Sequence, residues 1–172
     1  VSLMTIQTIP SQLVPVAAPP KLIAVRPAEE ADVQAIADIV NANARQGHLL
    51  PRSPDNIRAS LANWLVAEAD GVVVGIGSLL SMSPTLVEIR SLAVLPAFRR
   101  YGVGAQVVNG LVGRARERGI PTVFALTRAV PFFERMGFSI TAKERFPEKV
   151  WTDCVICPLK DACDETAVVL EL

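Results

Sequence analysis

A glycine-bearing turn near the middle of the chain has the residue types that hold a diphosphate. The segment Arg99-Arg100-Tyr101-Gly102-Val103-Gly104-Ala105 follows a predicted strand and opens a long predicted helix. Several backbone N–H groups must converge on a diphosphate, and glycines permit that close approach. The helix N-terminus adds the positive end of its dipole, and Arg99 and Arg100 add charge. For the glycines alone, a plain strand-to-helix turn that only relieves steric crowding is the alternative.

The residues before this turn make its pattern more specific. Glu88-Ile89-Arg90-Ser91-Leu92-Ala93-Val94 and Pro96, followed by R-x-x-G-x-G-A, resemble the GNAT acetyltransferase superfamily. The resemblance covers most of residues 22–172 and implies a GNAT-like acyl-CoA N-acyltransferase fold, an α/β fold with a central mixed sheet and flanking helices. A dinucleotide-binding βαβ unit fits less well, because position 122 is Thr and no acidic residue follows before Glu134.

The resemblance also implies acetyl-CoA as cosubstrate and assigns its contacts. Backbone amides of the turn would hold the pyrophosphate, and the main chain of the preceding strand would pair with the pantetheine arm as an added strand. An N–H of that strand would also bond the thioester oxygen as negative charge develops. The predicted cofactor-binding residues are Leu92, Ala93, Val94, Arg99, Arg100, Tyr101, Gly102, Val103, Gly104 and Ala105.

Acetyl transfer to an amino acid requires a base, because an α-ammonium group is mostly protonated at pH 7. Glu88 is predicted to be that base, since its position matches the glutamate base of some GNAT members. The alternative is a surface or ion-paired glutamate, because strand alternation can turn the side chain to either face. Many members use a tyrosine as general acid, but Phe132 and Phe133 occupy the matching segment here, so that role stays unassigned.

Arginine residues near the predicted site favour an anionic acceptor, because a guanidinium matches a carboxylate bidentately. Arg90 lies two residues after Glu88 and therefore on the same strand face. Arg128 follows Thr127 at the end of the next predicted strand, where small-molecule sites often form. Arg52 and Lys149 are predicted to close over the acceptor, and His48 is predicted to be a loop residue. The predicted acceptor-binding residues are Arg52, Arg90, Thr127, Arg128 and Lys149.

Three further segments narrow the resemblance. Leu49–Ser53, Leu126–Arg128 and Pro147–Cys154 resemble the single-domain N-acetylglutamate synthases of arginine biosynthesis. That resemblance implies L-glutamate, or glutamine, as the acceptor. Two alternatives stay open: a GNAT enzyme for another amine, such as a polyamine, an aminoglycoside or a protein N-terminus, and a coenzyme-binding regulatory module without catalysis. The arginines argue against a cationic acceptor, and Glu88 argues against the inactive module.

Cys154, Cys157 and Cys163 form a short cluster near the C-terminus. With Asp153, Asp164 or His48 they offer ligands for a structural zinc, but a fourth strong ligand is missing, so free or buried thiols are favoured and no metal site is predicted. An odd number of cysteines is not a secreted disulfide framework, and the cytoplasm is the predicted location.

Hydrophobic periodicity predicts one mixed α/β domain with the order βααββ, βαβα, ββ. The predicted strands are Leu22–Val25, Trp64–Ala69, Val72–Leu80, Leu86–Val94, Thr122–Leu126, Gly137–Thr141 and Ala167–Glu171. The predicted helices are Glu29–Asn43, a short one from Pro54, Gly102–Arg118 and Val130–Met136. The proline-bearing residues 1–20 are predicted to be a leader or extended arm, and residues 21–172 the acetyltransferase domain with a Cys-bearing insertion at 143–165.

Charge and hydropathy exclude two classes of partner. Seventeen basic residues balance seventeen acidic ones, so no surface for nucleic acid is expected. No apolar run approaches the roughly 20 residues that span a bilayer, so no membrane contact is expected. The predicted partner is a small-molecule amino acid, and a homodimer stays open.

Overall fold

The computed structural model describes residues 22–147 and 154–172. Seven strands form one sheet in the order β1-β2-β3-β4-β5-β7-β6. The strands are β1 (Ile23–Pro27), β2 (Trp64–Ala69), β3 (Val72–Ser83), β4 (Leu86–Val94), β5 (Thr122–Thr127), β6 (Ser139–Thr141) and β7 (Thr166–Glu171). The helices are α1 (Val33–Arg45), α2 (Pro54–Ala59), α3 (Val103–Glu117) and α4 (Val130–Arg135). The predicted mixed sheet with flanking helices is confirmed.

Local sequence signals account for several of these elements. The hairpin β2–β3 turns at Asp70 and Gly71, whose φ angles of +50° and +80° suit the tight turn that Asp-Gly favours. Ser53 caps the start of α2, and its side chain accepts a hydrogen bond from the Asn56 N–H. The first strand ends at Pro27. Pro27 pairs with Leu65, which an edge strand tolerates because its outer N–H groups need no partner.

Two glycines of β3 bring α3 close to the sheet. A Cβ atom on Gly75 would lie 2.6 Å from Val103 Cγ1, and one on Gly77 would lie 2.8 Å from Val107 Cγ1. Both distances are shorter than real carbon contacts, so only glycine allows the helix to pack at this depth. Because Val103 is the first residue of α3, Gly75 determines where the helix N-terminus lies.

The hydrophobic core is continuous on one face of the sheet and divided on the other. Under α3, one cluster runs from β2 to β7 and includes Leu65, Val107 and Val168. On the opposite face, one cluster packs α1 and α2 against β2 and β3, while a separate cluster surrounds Phe124 and Phe146. The two phenyl rings stack with their centroids 4.0 Å apart. The interval between these two clusters leaves room for polar side chains.

A β-bulge in β4 reverses the alternation of its side chains. Ile76 pairs with Ala93 and Ser78 pairs with Arg90, so Ser91 and Leu92 together lie opposite one residue of β3. Ser91 has a φ of +54°, a left-handed conformation that is uncommon for a residue with a side chain. Before the bulge, Val87 and Ile89 face the α3 side. After it, Leu92 packs there, and Ala93 packs on the α1 side.

The strands β4 and β5 are parallel and separate beyond a short ladder. Their described pairs are Leu86 with Thr122, Val87 with Val123 and Glu88 with Phe124. Both strands continue past this ladder, β4 to Val94 and β5 to Thr127. The sheet therefore opens between them, starting at Glu88.

Residues 1–21 and 148–153 lie outside the described residues, and with them the predicted leader 1–20 and Lys149. The described part of the Cys-bearing insertion contains three short 3-10 helices, at Lys143–Arg145, Cys154–Ile156 and Lys160–Ala162.

Candidate functional site

A pocket of about 540 Å³ lies at the N-terminus of α3. Seven of the ten predicted cofactor-binding residues line it: Val94, Arg99, Arg100, Gly102, Val103, Gly104 and Ala105. The phenyl ring of Phe132 forms its other side, about 3.5 Å from where a Cβ atom on Gly104 would lie. The pocket thus combines a glycine turn, an aromatic wall and three arginines, Arg99, Arg100 and Arg135.

The backbone of this turn has a conformation that gathers N–H groups beside the pocket. Arg100 and Gly102 have φ angles of +76° and +74°, and α3 begins directly afterwards at Val103. The first N–H groups of an α-helix have no acceptor within the helix, so an anion at this end satisfies them. A turn with left-handed residues gathers further N–H groups into one concavity. This arrangement suits a diphosphate.

Three predicted cofactor residues do not line this pocket. Leu92 packs into the core under α3, and Ala93 packs on the opposite face. Both belong to the strand whose main chain is predicted to pair with the pantetheine arm, so their side chains need not face the pocket. The side chain of Tyr101 is 37% exposed.

A larger cleft of about 990 Å³ lies on the face of the sheet that carries α1. The loop after α1, the middle of β4, the end of β5 and the Cys-bearing insertion form its walls. Of the predicted acceptor-binding residues, Arg52, Arg90 and Arg128 line it, and so does His48. The structure therefore brings together arginines that are far apart in the chain.

Glu88 lies in the floor of this cleft and is 2% exposed. Its neighbours across the sheet are Leu80 in β3 and Phe124 in β5. The alternation of β4 places it on the same face as Arg90, as predicted, and the surface alternative for Glu88 is wrong because the side chain is buried. Glu88 also lies at the last pair of the β4–β5 ladder, where the sheet opens.

One strand connects the two pockets. Glu88 and Arg90 line the cleft, and Val94 lines the pocket at α3. Val94 lies six positions after Glu88, and six steps of extended chain correspond to about 20 Å. A long extended molecule that binds its diphosphate at α3 can therefore run along the open edge of β4 and present its other end at Glu88.

Asn41, which the sequence does not single out, holds Arg52 in place. Its amide Nδ2 donates to the Arg52 carbonyl at 2.8 Å, and its Oδ1 accepts from the Arg52 N–H at 3.1 Å. The Arg52 side chain donates to Asn56 at 3.2 Å and reaches Ser91 at 3.4 Å. Because both bonds of Asn41 cross eleven residues between α1 and the loop, no periodicity in the sequence indicates them.

Arg128 reaches the cleft from the end of β5 and is paired with acidic residues. Its Nε donates to Asp164 at 2.7 Å, Glu165 is 3.9 Å from its Nη1, and the same Nη1 donates to the Gly47 carbonyl at 3.3 Å. An acceptor carboxylate would therefore share Arg128 with Asp164. Thr127 is 8% exposed, and its hydroxyl accepts from the Ala129 N–H at the start of α4. It is not among the residues that line the cleft.

Lys143 is a further cation of the cleft that the sequence does not single out. The short 3-10 helix Lys143–Arg145 positions it, and this helix ends at Phe146, whose ring stacks on Phe124. Phe124 is in turn the pairing partner of Glu88. The Lys143 ammonium donates to the Cys163 sulfur at 3.3 Å.

The three cysteines line the same cleft, and none of them forms a disulfide. Within residues 22–147 and 154–172, no group of three or more His, Cys, Asp or Glu side chains has the geometry of a metal site. In the same described ranges, no helix is long and apolar enough to cross a membrane.

The sequence matches known proteins over most of its length. Residues 33–138 match the Acetyltransferase (GNAT) family. The chain is 42% identical to an uncharacterized N-acetyltransferase of Chlorobaculum tepidum, over 86% of this chain and 96% of that protein. It is 30% identical to an amino-acid acetyltransferase of Pseudomonas fluorescens over 72% of this chain, and it spans 29% of the length of that relative.

Solved structures share the fold. The Mycobacterium tuberculosis protein Rv2747, in complex with CoA and NLQ, superimposes with a TM-score of 0.74 at 30% identity, over 87% of this chain and 99% of that one. The N-acetylglutamate synthase of Neisseria gonorrhoeae, complexed with coenzyme A and N-acetyl-glutamate, superimposes with a TM-score of 0.78 at 26% identity, over 88% of this chain and 35% of that one.

Proposed function

The chain belongs to the Acetyltransferase (GNAT) family, and from that premise we propose that it transfers the acetyl group of acetyl-CoA to the α-amine of an amino acid, with L-glutamate as the first acceptor to test. In this proposal the enzyme acts as an N-acetylglutamate synthase of arginine biosynthesis. The position of Glu88 is the observation that carries it. Glu88 is 2% exposed and lines a cleft that contains several basic side chains. It lies where β4 and β5 separate, on the strand that leads to the pocket at the start of α3.

Acetyl-CoA supplies the activated acyl group, and the residues of the chain bind and orient it. The N–H groups at the start of α3 and the side chains of Arg99 and Arg100 would hold its diphosphate. Its thioester arm would pair with the open edge of β4 between Val94 and Glu88. An N–H of this edge would then donate to the thioester oxygen, where negative charge develops as the amine attacks.

Glu88 would act as the general base. Its carboxylate accepts the proton of the acceptor ammonium, directly or through a water, so that a neutral amine faces the thioester. Attack and loss of the coenzyme thiolate then follow without a covalent intermediate on the protein. A thiol with an ordinary pKa near 8.5 is a good leaving group, so the absence of a tyrosine in the Phe132–Phe133 segment is no obstacle.

The charges of the cleft support an anionic amino acid. Its described lining includes six basic residues, Arg45, Arg52, Arg90, Arg128, Lys143 and Lys160, and four acidic ones, Glu88, Glu144, Asp161 and Glu165. An excess of cations attracts carboxylates and repels a polyamine. The relatives named as amino-acid acetyltransferases and N-acetylglutamate synthases support the same class of acceptor. Lys149 remains a proposed ligand that lies outside the described residues.

An acceptor panel tests the proposal. The protein is mixed with acetyl-CoA and with L-glutamate, L-glutamine or spermidine, and the release of coenzyme thiol is followed with time. We expect turnover with glutamate and none with spermidine. Turnover with spermidine alone would indicate a cationic acceptor instead of an amino acid. Coenzyme binding without turnover on any amine would indicate a regulatory module without catalysis.

A further inference from the structure

The cleft wall contains two cysteines at the first and fourth positions of one 3-10 turn. Cys154–Ile156 is a 3-10 helix, and the Cys157 N–H donates to the Cys154 carbonyl at 3.2 Å. In a 3-10 helix the side chains at i and i+3 eclipse each other. The rise of the helix puts the two Cα atoms about 6 Å apart, inside the range of about 4.4–6.8 Å that a disulfide spans. Both thiols are half-buried and line the cleft.

The third cysteine is held differently. Cys163 is exposed, and its sulfur accepts a hydrogen bond from Lys143 at 3.3 Å. It follows the 3-10 helix Lys160–Ala162 rather than sharing a turn with either of the other two. Intramolecular oxidation therefore favours the pair Cys154 and Cys157, and Cys163 is left outside that bond.

We propose that Cys154 and Cys157 are a thiol–disulfide modification site in the wall of the acceptor cleft, which a low-molecular-weight disulfide such as glutathione disulfide oxidises. One protein thiolate attacks the small disulfide, forms a mixed disulfide and releases one small thiol. The second protein thiolate attacks the mixed disulfide, forms the Cys154–Cys157 bond and releases the second small thiol. Two electrons pass from the protein to the small disulfide, and the protons of the cysteines pass to the released thiols.

We expect the disulfide to change the binding of the acceptor and not the binding of the coenzyme. Both cysteines line the cleft that contains Glu88 and Arg90, and neither lines the pocket at the start of α3. A disulfide restricts the conformations of the turn, so an acceptor that contacts this wall orders less of the chain when it binds. This part of the inference rests on the proposed acetyl transfer. We expect oxidation to lower the KM for the amino acid by about threefold or more, with the KM for acetyl-CoA unchanged.

Alkylation mapping tests the site without any use of enzyme activity. The full chain is incubated with excess glutathione disulfide, quenched with acid, unfolded and alkylated, and its peptides are identified by mass spectrometry. We expect one peptide with an intact Cys154–Cys157 bond, whereas Cys163 is alkylated or carries one glutathione, and dithiothreitol reverses both modifications. Three alkylated cysteines, a stable mixed disulfide with glutathione at Cys154 or Cys157, or a bond between Cys163 and either of them would overturn the proposal.

Two serine variants are the matched controls. Cys163→Ser should form the same disulfide as the unsubstituted chain, whereas Cys157→Ser should form none. Kinetics of the oxidised and reduced forms, with Cys157→Ser treated in parallel, then test the effect on KM. An intact disulfide with an unchanged KM for the acceptor would contradict the functional consequence. A mapped disulfide in a protein that acetylates no amine would contradict the proposed function and leave the modification site standing.

Discussion

At the scale of single residues, a substitution of Glu88 tests whether the chain is a catalyst or only a coenzyme-binding protein. Glu88→Gln keeps the shape of the side chain and removes its capacity to accept a proton. We expect kcat to fall by about 10²–10⁴-fold, because this is the usual contribution of a general base. The dissociation constant for coenzyme A, measured by titration calorimetry, should stay within about twofold, since Glu88 does not line the pocket at α3.

Glu144→Gln is the control for this change. Glu144 lines the same cleft but is exposed, so the variant removes the same charge from the same cavity without touching the floor. Its kcat should remain close to that of the unsubstituted chain. Equal losses in both variants would reduce the role of Glu88 to the overall charge of the cleft, and an unchanged kcat in Glu88→Gln would remove it from the mechanism.

The site residues that can be predicted from the sequence are close to one another along the chain, whereas those that cannot be predicted make contacts between distant parts of the chain. Glu88, Arg90 and the glycine turn are close in sequence, so strand alternation and the helix start were sufficient to group them. Asn41 acts on a residue eleven positions away across a loop, and Lys143 reaches the cleft because its helix ends at the buried Phe146. Such contacts depend on tertiary packing, which no local pattern encodes.

At the scale of secondary structure, the close approach of β3 and α3 positions the diphosphate turn, the glycine-bearing segment from Arg99 to Ala105 that is proposed to bind the diphosphate. Gly75→Ala places a methyl group where Val103 Cγ1 lies 2.6 Å away. We expect a loss of about 1–3 kcal/mol in the free energy of unfolding, measured with urea, because overpacking in a dense core forces a shift. The shift moves the first residue of α3, so coenzyme A should also bind about tenfold more weakly, which corresponds to about 1.4 kcal/mol.

Gly113→Ala in the middle of α3 is the matched control. No atom lies within 4 Å of a Cβ at this position, so the methyl group enters open space. The variant should be more stable by up to about 1 kcal/mol, since alanine has the higher helix propensity. Coenzyme binding that is unchanged in Gly75→Ala would show that the position of α3 does not control the diphosphate turn.

The order and type of the elements were predictable, and the irregularities were not. The Asp-Gly hairpin, β4 and the helix after the glycine turn follow the periodicity of the sequence and are confirmed. The bulge at Ser91 cannot be predicted from the sequence. A glycine would indicate a left-handed conformation at this position, but a serine with a φ of +54° gives no such indication. The opening between β4 and β5 depends on how two distant segments pair, which periodicity does not report.

At the scale of the whole molecule, an ion cluster joins β1, β2 and the start of α1. Arg26 donates to both carboxylate oxygens of Asp32, at 2.7 and 3.0 Å, and to Glu68 at 2.8 Å. Asp32 is 5% exposed and also accepts from the Glu29 N–H. The hydrogen bonds from the Arg26 guanidinium lower the pKa of the Asp32 carboxyl below its ordinary value. The charged form of Asp32 thus stabilises the folded state.

Asp32→Asn should therefore destabilise the protein in a pH-dependent manner. The Asp32 carboxyl has a lower pKa in the folded state than in the unfolded state, where it is near 3.9. Its contribution to stability is therefore present at a pH above the unfolded-state pKa and is lost as the pH falls through the folded-state pKa. Urea unfolding at pH 7 should show a deficit of about 1–3 kcal/mol relative to the unsubstituted chain, and the deficit should shrink toward pH 3. Glu68→Gln is the control, with a smaller deficit, because its side chain is 33% exposed. A deficit that is the same at both pH values would contradict the role of this charge.

The short ladder between β4 and β5 has a consequence for how such a protein can acquire new specificities. Three described residue pairs join the strands β1 to β4 to the strands β5, β7 and β6. Insertions after β5 and β6 can change the walls of the larger cleft while the pocket at the start of α3, built on β4 and α3, stays intact. The half of the sheet formed by β5, β7 and β6 can therefore change under selection while the half formed by β1 to β4 keeps the same pocket.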